Sequence, residues 1–510
     1  MKRYKNICIL LAILIIACVA TILVLNIEEK KEEIKNSDEV ILQISPDTVT
    51  ALSWETEAES FSFHKDEKWI YDEDEDFPVN EDTITSLLSI FEEFGASFII
   101  ENVENYQQYG LDDPVCTISI TTTEQTEDES KENIYEINLG DFSTMDSKRY
   151  LSTGDGNVYL VSTDPLDTYD VTIQNLIDND KTPSFETVSS ITFTGSENYS
   201  ITYAEDSPST YCADDVFFAD INQETLPLDT NLVNSFLNDI TALGLTNYVN
   251  YKVTEDELKE YGMDDPELTV SVDYGYTNEN NEEISDTFVL HVSRNQEAVQ
   301  KAKEKQETDE TQGTSDIATI EETSYTYDDD TTEETSYTYD TVTTEDVPAY
   351  VRIGDSAIIY EITSEEYLSL TAASYDDLRH KEILSAAFDD IYQIDVNLEG
   401  NTYSLYSETS TFDEESVTWT YLEEETDISN LRTALKSLRA NSFTNETPTE
   451  KEEISLTVYL DNENFPMINI ELYRYNGSEC LAVLDGEPTS LVSRSLVVDL
   501  IEEVNSIILK

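Results

Sequence analysis

Basic side chains are scarce: 28 Lys and Arg stand against 109 Asp and Glu in 510 residues, a formal net charge of −81. A field of that sign repels nucleic-acid phosphates and anionic headgroups, which argues against a nucleic-acid partner. It gathers counter-ions instead, so weakly held divalent cations and basic protein surfaces are the expected company. Histidine is scarcer still. His64, His291 and His380 are all there is, with no HExxH and no pair at metal-motif spacing. Of five cysteines, Cys8 and Cys18 fall in the N-terminal apolar run. The remaining Cys116, Cys212 and Cys480 are odd in number, far apart and without a CxxC, so neither a disulfide scaffold nor a zinc site is expected. GxSxG, GxGxxG and GxxxxGK[ST] are absent too, and the reading is of no cofactor and no catalytic residue.

Long apolar runs are equally rare. The one that exists, Ile7 to Ile27, has 21 uncharged residues (27 − 7 + 1), enough to span a bilayer as a helix. Lys2, Arg3 and Lys5 precede it and the acidic Glu28 to Glu33 stretch comes after, which puts the N-terminus in the cytoplasm and the rest outside. Ile15-Ile16-Ala17-Cys18 also resembles a lipobox, and lipidation of Cys18 is the alternative anchor. The polar tether expected after a lipidated cysteine is missing, because Val19 to Ile27 stays apolar.

What the chain does have is internal repetition, the signature to seek first. Tyr109-Gly110-Leu111-Asp112-Asp113-Pro114 returns as Tyr261-Gly262-Met263-Asp264-Asp265-Pro266, 152 residues later (261 − 109). Alternating strands follow both copies: Cys116, Ile118 and Ile120, then Leu268, Val270 and Val272. Paired aspartates suggest acid–base or cation chemistry, but the context suggests punctuation. Thr254 and Glu257 form a capping box, Gly262 suits a left-handed helix stop with Met263 as its hydrophobic contact, and Pro266 starts a strand.

Around the motif a longer pattern runs three times: strands with Trp, Phe and Val alternation, then an amphipathic helix, then a glycine-turned hairpin and a closing helix. The helices are expected to be capped by Asn80, Asp229 and Asp427, the first carrying Ile84, Leu87, Leu88, Phe91 and Phe94 on one face. His64 and His291 fall in strands and His380 in a charged helix, Tyr375 to Leu384. The predicted fold class is α+β: a single transmembrane helix followed by three related units of antiparallel strands packed on helices. The predicted boundaries are a cytoplasmic tail 1–6, the membrane helix 7–27, a linker 28–47, and units 48–187, 188–385 and 386–510. The second holds an acidic insert, 296–346, with the octapeptide at Glu321 to Asp328 repeated at Glu333 to Asp340, and is expected to be disordered. The third is degenerate, with Asn445-Glu446-Thr447-Pro448 in place of the motif. Asp72-Glu73-Asp74-Glu75-Asp76 imitates a calcium loop but lacks its glycine and its twelfth-position glutamate.

A basic N-terminus, one membrane helix, Trp-containing hairpins such as that at Trp69, and the Tyr-Gly-Leu-Asp-Asp-Pro motif resemble the bacterial family called domain of unknown function 4340. The resemblance implies an envelope-exposed accessory of an ABC-type transporter, with a permease as partner; it carries no catalytic residues. Function is therefore expected to be binding or scaffolding outside the membrane. The alternative is an acidic module for cations, wall polymer or a small ligand. A hydrolase ranks third and requires His64 or His291 beside a carboxylate and a serine in a cleft.

Overall fold

A computed structural model describes residues 39–509 apart from 102, 126–129, 279, 306–343, 345–346 and 410–416. The predicted membrane helix and Cys18 lie outside the described residues. Among those described, no helix is long and apolar enough to cross a membrane. The described residues form two compact units: 39–180 with 246–252, and 181–245 with 253–509. Antiparallel sheet dominates both, with few helices.

In the first unit eight strands run in the order Trp69–Tyr71, Ser60–Lys65, Val49–Thr56, Cys116–Gln125, Ser130–Ser143, Lys148–Ser152, Val158–Val161, Phe98–Ile100. The second unit repeats this twice. Within that unit, the strands of one sheet run Glu224–Pro227, Phe217–Ile221, Tyr199–Tyr203, Thr187–Gly195, Leu268–Thr277, Glu283–Arg294, Ala349–Ile353, Ile359–Ile362. The other runs Glu424–Thr426, Val417–Tyr421, Asn401–Thr409, Ile391–Leu398, Glu452–Leu460, Met467–Arg474, Glu479–Leu484, Glu487–Ser493, Ala440–Phe443. A shared irregularity marks the kinship. Where the first strand of each repeat pairs with the strand after the helix, the register slips at Val49/Ala51, at Val188/Ser190 and at Ile391/Gln393. A bulge at one topological position bends all three sheets alike.

Alternation decides which face is buried. In the third sheet Ile394, Val396, Leu456 and Val458 point inward onto Leu431 and Leu435 of the helix Ser429–Ser437 and Val497 and Leu500 of the helix Arg494–Ile508. Each such side chain contributes about 1.5–3 kcal/mol by leaving water. The second sheet meets its helix, Thr230–Thr241, through Phe193 and Phe236, rings 5.6 Å apart. In the first, Trp54 packs on Phe61, Phe63 and Tyr169, and the Tyr169 hydroxyl donates to Leu87 O at 2.9 Å.

The main helices start where side-chain oxygens take orphan amides. Asn80 accepts from Thr83 N–H at 2.9 Å, Asp229 from Asn231 N–H at 2.9 Å, and Asp427 from Ser429 N–H at 2.9 Å. Asn80→Ala is expected to cost about 1 kcal/mol, read as a lower urea midpoint with an unchanged slope. The cap backbones matter as well. Asn80 N–H bonds Leu176 O at 2.8 Å and Asp229 N–H bonds Leu378 O at 3.0 Å, so in the first two repeats the closing segment returns to its own helix start.

Three local expectations are corrected. The first helix is Glu81–Ser89, and Phe94 belongs to the strand Phe94–Ala96. The helix predicted over Tyr375 to Leu384 ends at Leu378, because Arg379 turns extended at ψ 163, and His380 therefore lies on an extended return segment. The insert predicted as disordered from 296 begins with helical residues 296–305. Asn295 accepts from Ala298 N–H at 2.8 Å, and Val299 and Ala302, one turn apart, bury against Val347. Most of the remaining insert lies outside the described residues.

Candidate functional site

Both copies of the motif fold into one stop signal. Gly110 sits at φ 70 and Gly262 at φ 72, each closing a short 3-10 turn, Gln107–Tyr109 and Leu258–Tyr261. Gly110 N–H bonds Gln107 O and Leu111 N–H bonds Tyr106 O, both at 3.2 Å. Gly262 N–H bonds Lys259 O at 3.2 Å and Met263 N–H bonds Leu258 O at 2.9 Å, the paired bonds of a Schellman stop. Leu111 is 9% and Met263 5% exposed, while Asp112, Asp113, Asp264 and Asp265 are exposed and Tyr109, Tyr261, Pro114 and Pro266 half-buried. Thr254 N–H donates to Glu257 Oε2 at 2.9 Å, fixing the turn's start. The second copy borders a broad cleft of about 1170 Å³. At its floor Glu267 accepts from the Tyr367 hydroxyl, and the Arg294 guanidinium lies over the Tyr367 ring at 4.3 Å. Asn445 to Pro448 form no such turn.

The acidic stretch after the first hairpin is occupied by the protein's own groups. Asp74 is held by Lys252 and by the Tyr251 hydroxyl at 2.6 Å, hydrogen bonds that bring its carboxyl down to about 2. A carboxyl lowered on folding stabilises above its ordinary range, near 3.9, and that contribution is lost as pH falls through about 2. Lys252→Ala is expected to return Asp74 toward the ordinary range, read by carboxyl NMR titration. Asp72 accepts from Ser62 and contacts His64 Nδ1 at 2.5 Å. Serine and histidine thus share one carboxylate on an exposed strand face, in the order Ser–Asp–His, and the two oxygens of Asp72 stand between the imidazole and the Ser62 hydroxyl. His291 bonds Thr269 Oγ1 at 2.9 Å. Cys116 and Cys480 are buried free thiols.

The densest chemistry lies where sequence motifs gave no hint, around His380. Its Nε2 donates to Asp215 Oδ1 at 2.7 Å, and Asp215 is 3% exposed. Thr210 Oγ1 donates to the other Asp215 oxygen at 2.6 Å. Across the ring, His380 Nδ1 faces Asp229 Oδ2 at 3.8 Å and Glu382 Oε2 at 4.0 Å. Glu382 Oε1 pairs with Arg439 at 3.1 Å, whereas its Oε2 is buried without a hydrogen-bond partner. Burial disfavours the imidazolium, but the Asp215 hydrogen bond and the charges of Asp215, Asp229 and Glu382 outweigh it, and the His380 pKa is raised. Half-buried Cys212 lies beside Asp215, its thiol pushed up to about 11 by burial and that carboxylate. Two sets could hold a metal ion: Cys212, Asp215 and His380, or Asp229, His380 and Glu382. A cleft of about 180 Å³ borders the cluster.

Repeat geometry explains the meeting. The Asp229 N–H bond to Leu378 O fixes the return segment beside the cap, so a residue two beyond Leu378 faces the Asp229 side chain. The first repeat makes the same bond from Asn80 to Leu176 and has Asp178 at the corresponding place. Thr230, the helix's first residue, accepts from Val216 N–H at 3.1 Å and donates to Asp214 O at 2.8 Å, holding the turn that aims Asp215.

A family described as a domain of unknown function, DUF4340, matches residues 69–266 and again 221–457. The chain belongs to the DUF4340 family. The two matches of DUF4340 start 152 residues apart (221 − 69), the interval that separates the two glycine motifs. A second description, exocyst complex component Sec5, matches residues 4–129, about a quarter of the chain. No curated protein and no solved structure matches.

Proposed function

We propose that this DUF4340 protein is a membrane-anchored, extracytoplasmic binding or scaffolding protein, held by Ile7 to Ile27 with its N-terminus in the cytoplasm, and accessory to an ABC-type transporter. The observation that carries the reading is the open face of each sheet. Opposite the helices, side chains form hydrogen-bonded ladders: Thr117 to Asn138 at 3.0 Å, Thr287 to Asp273 at 2.6 Å, and Thr457 to Asn469 at 3.0 Å. Such faces are pre-ordered and polar, suited to docking a partner at low entropic cost. The charge of −81 favours a basic partner surface. The transporter association rests on the family resemblance. Crosslinking in intact cells followed by gentle solubilisation should recover a permease; repeated recovery of no envelope protein would reject the reading.

A specific observation supports a second reading, binding of wall polymer. On the third sheet Tyr406 and Tyr459 flank Gln393 in one cross-strand row, and Tyr392 lies 6.1 Å from Tyr459. Gln393 Nε2 and the Tyr459 hydroxyl donate to the two oxygens of Asp395. Rings beside fixed polar groups suit sugar faces. Sedimentation with purified wall material, lost in Tyr406→Ala and Tyr459→Ala, is the outcome this reading requires.

A further inference from the structure

We propose that Asp229, His380 and Glu382 form a binding site for one divalent transition-metal ion, of which Zn²⁺ is the natural probe, with Asp215 orienting the histidine. His380 supplies a nitrogen with its other nitrogen committed. Nε2 is fixed to a buried carboxylate at 2.7 Å, which turns Nδ1 toward Asp229 and Glu382. A carboxylate behind a ligating imidazole is the usual support of a metal-bound histidine, setting its tautomer and raising its basicity.

The front of the ring is where the ligand atoms gather. Nδ1, Asp229 Oδ2 and Glu382 Oε2 lie within 4.8 Å of one another. Around zinc, with bonds of about 2.0–2.2 Å, tetrahedral ligands stand about 3.3 Å apart. The nitrogen–oxygen separations of 3.8 and 4.0 Å need only a small contraction. Glu382 Oε2 adds a second sign: the atom is shielded from solvent and accepts no hydrogen bond, with His380 Nδ1 facing it at 4.0 Å, while its companion oxygen pairs with Arg439. A buried carboxylate oxygen left in that state is costly, and a cation bridging it to Nδ1 removes the cost.

The donor set selects the class of ion. One imidazole with two carboxylates suits zinc, manganese or a similar first-row ion, whereas calcium and magnesium favour all-oxygen sites. The alternative thiol set is less apt, because Nε2, the nitrogen on that side, is already engaged by Asp215 at 2.7 Å. Asp229 begins the helix Thr230–Thr241, and Glu382 bridges to Arg439 beyond the helix Ser429–Ser437. A bound ion therefore ties the second repeat's helix start to the strand entry of the third, inside one compact unit.

The test uses the full chain in detergent, stripped of metal and titrated calorimetrically with ZnCl₂ at physiological salt with excess Mg²⁺ to saturate the diffuse acidic sites. One saturable site is expected, with proton release detected by comparing buffers and a ligand-field spectrum when Co²⁺ replaces Zn²⁺. Glu382→Gln and Asp229→Asn should abolish it; asparagine still caps a helix, so the fold is retained. Asp215→Asn should weaken binding about 10–100-fold, and Asp264→Asn should bind as the parent does. Absence of a one-site phase, or binding unchanged in both Glu382→Gln and Asp229→Asn, overturns the proposal.

Discussion

Gly262→Val is expected to destabilise the second unit by about 3 kcal/mol or more, while Asp264→Asn and Asp265→Asn stay within about 0.5 kcal/mol of the parent. Two effects add at the glycine. At φ 72 a β-branched residue is forced into the left-handed region, at about 1–2 kcal/mol. An added Cβ would also stand 2.3 Å from Arg294 O and 2.7 Å from Ser293 Oγ, so the turn must leave the strand on which it packs. Gly110 has the same crowding against Asp141, whose backbone nitrogen would lie 2.8 Å from a Cβ. The measurement is a urea melt followed by circular dichroism. Aspartate variants as damaging as the glycine variant would mean the motif does more than stop a turn.

Arg149→Ala should cost about 3–5 kcal/mol, the range for removing one partner of a buried ion pair. Its Nε donates to both Asp164 oxygens at 2.6 and 2.7 Å and its Nη1 to Gly140 O at 2.7 Å, with both partners largely shielded. Deleting the guanidinium leaves a carboxylate and a carbonyl in poor solvent. Arg149→Met combined with Asp164→Leu should recover part of the loss, because the desolvated charge goes with its partner. Trp54 and Trp69 lie in the first unit and Trp419 in the second, so tryptophan fluorescence weights the unit under test. Equal losses in the single and double variants would mean that packing, and not charge, sets the cost.

The parts of this fold legible in sequence are those governed by neighbours in the chain. Asn80 and Asp229 announce helix starts because capping acts over two or three residues. Gly110 and Gly262 announce stops because only glycine takes that backbone cheaply. Alternation at Leu268, Val270 and Val272 marks a half-buried strand, and repetition exposes the period. Bulges at Val188/Ser190 and its counterparts leave no local trace, since they arise from cross-strand register. The His380 cluster was invisible for the same reason. Its members come from residues 212–215, 229 and 380–382, with no spacing that a motif could encode. One signal was available: aligning Asn80 with Asp229 and Leu176 with Leu378 by the repeat sets the return segment, and His380 with it, beside an aspartate cap. The helical residues 296–305 were hidden by the acidic composition of the insert they open, although Val299 and Ala302 carry the one-turn spacing.

Residues 246–252 come after the second repeat's helix in sequence but pack in the first unit, with Tyr251 on Phe77 at 5.1 Å and Lys252 on Asp74. Tandem duplication usually yields cassettes that recombination can delete or shuffle at little loss. Here excision of the second cassette would also bare an aromatic ring and unpair a carboxylate in the first. That dependence gives a lineage a reason to keep its copies together and in order, and it sets the boundary for any truncated form of the first unit beyond residue 252.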